Sequence, residues 1–232
     1  MVLTTSTDGD RLNIKINSIT NFRDDEKVLY FESVRMLDLI VNSKEFVQRF
    51  LALKLTNTEG LTNHEILAII YSGREELQPI DDREIDVDVT IYESNNSTVG
   101  YTNQSTIRTW VNRKFFRDYT AAEVAGNLFH EWVHKLGFGH RNAKEHTSVP
   151  YAAGYLVRDM IREMMNGFEF TKLSLYDYAM VRAPIVVSLP PVTQKKVLVC
   201  RRRLQNFFRK VCTYEYENQE ECDFKIMDDS CY

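Results

Sequence analysis

Two kinds of hydrophobic periodicity alternate along most of the chain, and together they predict an α+β fold. Short segments that alternate apolar and polar side chains are typical of strands with one buried face. Longer segments that repeat apolar residues at three- and four-residue spacing are typical of amphipathic helices. The 232 residues, 44% hydrophobic and 27% charged, suffice for one large domain with a buried core, or for a domain with a small appendage.

Four segments are predicted strands. Residues 11–19 alternate apolar and polar side chains, and residues 85–93 do so with one face expected in water. Residues 98–102 form a short strand weakened by Gly100, which suits a sheet edge or a place that another chain approaches closely. Residues 106–116 are predicted to form a further strand.

Helical spacing appears in five segments, residues 26–55, 62–77, 121–136, 151–166 and 171–182. The first is either one long helix or two helices in series. Thr62 and Glu65 form a capping box at the start of the second helix, and Pro79 is expected to end it. The fourth helix follows Pro150.

Charge and hydropathy exclude several classes of protein. The formal net charge of −4 leaves no overall positive field, so we expect no nucleic-acid partner. No apolar run approaches the roughly 20 residues that span a bilayer, so we expect no membrane span. We also expect a monomer.

All four cysteines lie near the C-terminus, at Cys200, Cys212, Cys222 and Cys231. This crowding predicts two disulfides in an oxidising compartment; free thiols and a zinc site remain as alternatives, although close Cys-x-x-Cys pairs are absent. We therefore expect an exported protein (periplasmic, secreted or extracellular) whose signal peptide is not part of this sequence. Pro184, Pro190 and Pro191 mark a boundary, which divides the chain into a main domain, 1–191, and a cysteine-containing appendage, 192–232.

The appendage is basic over residues 192–214 and acidic over residues 215–232. Either its two halves fold on each other, or the basic half is a docking patch.

The segment HEWVHKLGFGH at residues 130–140 carries the candidate chemistry. His130 and His134 are four residues apart on one predicted helix, so their imidazoles face the same way. Gly137 breaks that helix, after which His140 can return as a third nitrogen ligand. Three nitrogen ligands with a fourth position open to water are typical of a catalytic Zn²⁺ site.

Glu131 stands beside the first of these ligands and can reach the water without binding the metal. It is the predicted general base, and it would then carry the proton to the leaving amine. The helix has independent support, because Thr120 and Glu123 form a capping box at its start. Surface histidines on an amphipathic helix, or a purely structural zinc site, are the alternatives.

The pattern His-Glu-x-x-His-x-x-Gly-x-x-His at residues 130–140 resembles the signature of the metzincin zinc peptidases. The resemblance implies a mixed β-sheet with an antiparallel edge strand and backing helices before the active-site helix, an order that the predicted strands match. It also implies that residues 98–102 form the edge strand that pairs with an extended substrate.

Metzincins carry a methionine in a tight turn beneath the zinc. The first turn-like segment after the motif is residues 147–151, which resembles that turn with Pro150 where methionine would stand. There Tyr151 is predicted to be an extra ligand or an oxyanion donor, with core packing at a helix start as the alternative. The remaining candidate methionines are expected in the core of helices: Met160, Met164, Met165 and Met180.

The leading hypothesis is a zinc-dependent endopeptidase that acts on a protein or peptide substrate. A catalytically silent, metal-stabilised binding module and a zinc hydrolase of non-peptide amides remain as alternatives. Of the other histidines, His146 is expected in a solvated loop, with the rim of the cleft as its alternative position.

Overall fold

A computed structural model describes residues 11–102, 105–142 and 145–173, together with the backbone of residues 194–205 and 207–218. The chain divides into two compact units, residues 1–185 and 186–232. The division expected after residue 191 falls in a stretch outside the described residues.

A four-stranded mixed sheet forms the centre of the first unit. Its strands are β1 (Asn13–Thr20), β2 (Glu84–Tyr92), β3 (Gly100–Thr102) and β4 (Thr109–Asn112), in the spatial order β1-β2-β4-β3. Strands β1, β2 and β4 are parallel, and β3 pairs antiparallel with β4 at the edge. The predicted α+β class and the mixed sheet with an antiparallel edge strand are confirmed.

The described helices are α1 (Asp24–Val41), α2 (Lys44–Leu51), α3 (Asn63–Ser72), α4 (Arg113–Phe116), α5 (Ala121–Lys135) and α6 (Val149–Met165). The predicted helix over 26–55 is therefore two helices in series. They separate because the Asn42 side chain bonds both the N–H and the carbonyl of Leu12 on the chain entering β1, while Ser43 caps α2 by accepting from the Phe46 amide.

The capping box of Thr62 and Glu65 is confirmed, but the predicted end of that helix is wrong. Helix α3 stops at Ser72 because Gly73 adopts a left-handed conformation, φ 71°, well before Pro79.

The predicted strand over 106–116 is also too long. Only Thr109–Asn112 is a strand, because the Asn112 side chain accepts from the Lys114 amide and starts the short helix α4. The helix expected over 171–182 does not begin at 171, since Lys172 forms an isolated bridge with Ser43; residues 174–182 lie outside the described residues.

Strand β2 does not have the solvated face that its alternation predicts. Its apolar side chains are buried as expected, but Asp86 and Asp88 are only 4% and 8% exposed. Asp86 accepts from Asn17 Nδ2, in the side chain, at 2.7 Å, and Asp88 accepts from Arg108 Nε at 2.9 Å. These partners satisfy the carboxylates of a strand that has neighbours on both sides.

Helices α5 and α6 cross with their backbones nearly in contact. A Cβ atom at Gly126 would lie 2.8 Å from the Gly154 carbonyl oxygen, and one at Gly154 would lie 2.7 Å from the Gly126 carbonyl oxygen. Only glycine permits this approach, and it brings the first turn of α6 against the middle of α5.

The second unit contains two antiparallel strands, β5 (Gln194–Gln205) and β6 (Phe207–Asn218), whose register places Cys200 opposite Cys212. Cys222 and Cys231 lie outside the described residues, so the two disulfides, like export, stay predictions. No helix among the described residues is both long and apolar enough to cross a bilayer.

Candidate metal centre

Helix α5 carries the first two candidate ligands, and both of its ends form as the sequence predicts. Thr120 and Glu123 make a capping box at the start, and Gly137 follows the helix with φ 88°. A Cβ at Gly137 would lie 2.3 Å from Glu76 Oε1, while the Glu76 amide donates to the Lys135 carbonyl at 2.8 Å. The positive φ therefore favours glycine at the turn, and the missing side chain leaves room for Glu76.

The three predicted ligands converge. His130 and His134 lie one turn apart on α5, with their Nε2 atoms 3.2 Å from each other. His140 returns after the turn, so that one ligand nitrogen from each ring lies within 4.8 Å of the others. The structure thus contains a three-histidine group able to hold a metal ion.

Hydrogen bonds at the far side of the rings orient the first two ligands. His134 Nδ1 lies 2.7 Å from the Phe138 carbonyl oxygen. The His130 ring bonds the backbone of Pro150, which has no N–H, so the ring donates to its carbonyl. Each ring donates away from its neighbour, which leaves two Nε2 lone pairs facing each other.

Facing lone pairs repel, and a cation between them removes that repulsion. Two nitrogens at tetrahedral positions around Zn²⁺, each about 2.0–2.1 Å from it, are about 3.3 Å apart. The observed Nε2 separation of 3.2 Å fits this requirement.

Burial keeps both rings neutral. Together with the neighbouring His134 and His140, it lowers the pKa of His130 to about 3. Burial lowers the pKa of His134 to about 4, against the raising effect of its bond to Phe138. Neutral imidazole is the form that binds metal, so His130 and His134 need no deprotonation near pH 7.

Glu131 is 4% exposed and lies beneath the edge strand. Its carboxylate accepts from the Thr102 backbone N–H and from the Asn127 side chain, while burial raises its pKa to about 7. A Cβ at Gly100 would lie 2.9 Å from Asn127 Oδ1 and 3.4 Å from Glu131 Oε1. Gly100 therefore lets the edge strand come close to this carboxylate, and the carboxylate can exchange a proton near neutral pH.

Tyr151, in the first turn of α6, is brought to the histidines. Its ring centroid lies 4.5 Å from that of His130 and 4.8 Å from that of His140. Pro150, at the place expected for the family's methionine, is buried. Met160 is fully buried, as predicted, whereas Met165 is 55% exposed and not a core residue; Met180 lies outside the described residues.

His146 also lies near the site, although the sequence favours a plain solvated loop. The side chain is exposed, but its Nδ1 is 3.0 Å from the Tyr155 hydroxyl and its ring centroid is 5.6 Å from that of Tyr151. Tyr151 and Tyr155 are four residues apart on one helix, so the sequence places their rings on the same face. It does not show that His146 packs against that face.

Sequence reasoning missed Glu75, which packs against Trp132 of α5. It is 1% exposed, and Trp132 Nε1, between the two ligands of α5, donates to its Oε1 at 2.6 Å. Burial raises the pKa of Glu75 to about 7. No local pattern marks this residue, because its partner lies far along the chain.

Asp82, Glu84 and Asp86 form a second group of converging carboxylates. Lys15 Nζ lies 2.7 Å from Glu84 and 3.6 Å from Asp86, so this group already has a cation.

A comparison with models of known protein families finds no match, and comparisons with curated proteins and with solved structures find none either.

Proposed function

We propose that the chain is a zinc-dependent endopeptidase of the metzincin type. The observation that carries the proposal is the three-histidine group with Glu131 on the same helix, beside an edge strand. Three histidines suffice to hold the ion, so the position of Glu131 next to His130 favours a catalytic site over one that only stabilises the fold.

His130, His134 and His140 would hold the ion. Nitrogen ligands favour Zn²⁺ over the oxygen-seeking Mg²⁺ and Ca²⁺, and three of them leave a further position open. When bound, Zn²⁺ would supply a Lewis acid that polarises the scissile carbonyl.

Glu131 would move the proton. Its carboxylate takes a proton from the attacking water as the new C–O bond forms, and returns a proton to the leaving amine as the C–N bond breaks. With its pKa at about 7, it accepts and releases that proton without a large penalty near neutral pH.

The edge strand and Tyr151 would position the substrate. An extended peptide adds to the free edge of β3 by backbone hydrogen bonds. The Tyr151 hydroxyl, a hydrogen-bond donor whose ring packs on His130 and His140, donates to the oxyanion that develops.

The test combines metal analysis with proteolysis of an unstructured protein. Purified wild type should bind one equivalent of zinc and cleave, and Glu131→Gln should keep the zinc while losing at least about 10²-fold in kcat, the lower range for a general base. Glu32→Gln, an exposed carboxylate on α1, is the matched control and should cleave like wild type. A Glu131→Gln variant that holds zinc and cleaves normally would refute the mechanism.

A further inference from the structure

Strand β3 has one edge free in the part of the chain that the structure describes, since its only strand partner there is β4. The Asn112 amide donates to the Val99 carbonyl at 2.8 Å. The backbone N–H and carbonyl groups of successive residues in a strand point to opposite edges. Val99 points to β4, so Tyr101 does too, whereas the backbone groups of Gly100 and Thr102 point to the free edge. The bond from the Thr102 amide to Glu131 agrees with this direction.

A row of aromatic rings crosses the outer face of the sheet and ends at this edge. Tyr101 lies opposite Trp110 in the register, and the two rings stack at 5.0 Å with an interplanar angle of 10°. Tyr92 meets the Tyr101 ring edge-on at 5.5 Å. Tyr101 is still 43% exposed, so the last ring of the row has an uncovered side.

Side chains alternate between the two faces of the edge strand. Gly100 faces Asn127 and Glu131 on α5, as its short Cβ distances show. Thr102 shares that face, and Tyr101 points to the opposite one. A strand added along β3 has the same alternation: its residue opposite Tyr101 faces the aromatic row, and the residues on either side face α5 and the metal centre.

We propose that Tyr101, backed by Trp110 and Tyr92, is a subsite that selects one aromatic or large apolar side chain in an extended peptide substrate. The inference rests on the proposed function, which supplies an extended peptide that pairs antiparallel with β3. The Thr102 N–H already donates to Glu131, so an antiparallel peptide bonds the Gly100 N–H and carbonyl and the Thr102 carbonyl. The pair at Tyr101 is then a non-hydrogen-bonded one. There the Cα atoms lie about 4.5 Å apart, the closer of the two spacings.

The test uses peptides that end in a C-terminal hydroxamate, a zinc-chelating group that fixes their register on the zinc-loaded protein. One tryptophan is moved through successive positions of an alanine background, and the dissociation constant of each peptide is measured. Tryptophan should tighten binding by about fivefold at one position and not at either neighbouring position, the upper range for an aromatic cross-strand pair.

Tyr101→Ala should abolish that fivefold difference. Phe168→Ala is the matched control, because it removes another aromatic ring of similar exposure, 46%; this variant should keep the fivefold difference. Equal affinity at every tryptophan position, or a preference that survives Tyr101→Ala, would overturn the subsite. A wild-type dimer that Tyr101→Ala converts to monomer would overturn it too, because the surface would then serve self-association.

Cleavage assays on the same sequences, without the hydroxamate, separate the two proposals. If binding shows the positional preference but no peptide is cleaved, the peptidase proposal fails and the subsite stands. If peptides are cleaved with no positional preference in binding or rate, only the subsite fails.

Discussion

Two glutamates have a pKa of about 7, Glu131 within α5 and Glu75 packed against it, and their surroundings differ. Glu131 meets polar donors from the edge strand and lies beside the ligands. Glu75 meets the Trp132 indole, and Lys135 attracts it from the helix end. Burial raises both pKa values, but only Glu131 belongs to the helix that carries His130 and His134.

Glu75 should make stability depend on pH. Its pKa of about 7 in the folded protein exceeds the ordinary glutamate value of 4.5, so ionising it costs more in the folded state. Its contribution is therefore most favourable below about pH 4.5 and declines as pH rises towards 7. Glu75→Gln keeps an acceptor for Trp132 and escapes this decline.

Urea unfolding of metal-free protein between pH 4.5 and 7.5 measures the effect. The free energy of unfolding of Glu75→Gln relative to wild type should increase steadily over that range. Glu169→Gln, an exposed substitution, controls for the change in net charge. A difference in unfolding free energy between Glu75→Gln and wild type that stays constant with pH would show that burial does not raise the pKa of Glu75.

Tyr151→Phe distinguishes the two roles that the sequence leaves open for this residue. If the hydroxyl donates to the oxyanion, kcat should fall by about 10²-fold, the usual effect of one lost donor, while zinc affinity is unchanged. A chelator competition that shows weaker zinc binding in Tyr151→Phe would instead make the tyrosine a ligand. Unchanged kcat and zinc affinity would leave only the packing role.

At the scale of elements, the glycine crossing of α5 and α6 and the short strand β4 shape the site. The crossing presses the start of α6 against His130, so that the Pro150 carbonyl and Tyr151 reach that ring. Strand β4 pairs with β2 only over Val89–Tyr92. Nearer the start of β2, Lys135 Nζ donates to the Asp86 carbonyl at 3.2 Å, which ties the end of α5 to the sheet.

Gly154→Ala should open the crossing. The added Cβ would lie 2.7 Å from the Gly126 carbonyl oxygen and 2.9 Å from His130 Cβ, so α6 must move away. We expect a loss of about 1–3 kcal/mol in unfolding free energy, as for other overpacked sites, together with weaker zinc binding. Denaturant unfolding and chelator competition measure the two effects.

Gly139→Ala is the matched control, because no atom lies within 4 Å of a Cβ at that position. It should change the unfolding free energy much less than Gly154→Ala. Equal losses in the two variants would mean that the close crossing is not what limits substitution at Gly154.

At the scale of the whole molecule, the metal would join two parts of the chain that the turn at Gly137 separates. His130 and His134 belong to α5, whereas His140 lies in the segment beyond the turn. Ion binding to this folded arrangement therefore adds to the free energy of unfolding.

Zinc should raise the melting temperature. At a free zinc concentration about 100 times the dissociation constant, the gain is about 2.7 kcal/mol. For a chain of this size that corresponds to a rise of about 5–10 °C by calorimetry. His134→Gln should lose most of this rise. His64→Gln, which removes a histidine of α3 outside the three-histidine group, is the control and should retain it. The same rise in both variants would place the zinc elsewhere.

The sequence alone predicts the three ligands, Glu131, the cap at Thr120 and the edge strand, because these depend on spacing within one helix, one turn or one strand. The sequence-based predictions failed at three places where another interaction outweighed the hydrophobic periodicity. Gly73 ended α3 at Ser72, Asn112 ended β4 by capping α4, and Arg108 allowed Asp88 to be buried on the outer face of β2. Only the tertiary structure shows Glu75 under Trp132, His146 beside Tyr151, and Tyr101 stacked on Trp110. Each of these contacts joins residues that no local periodicity relates, since side chains from separate elements meet only after the sheet and the helices pack.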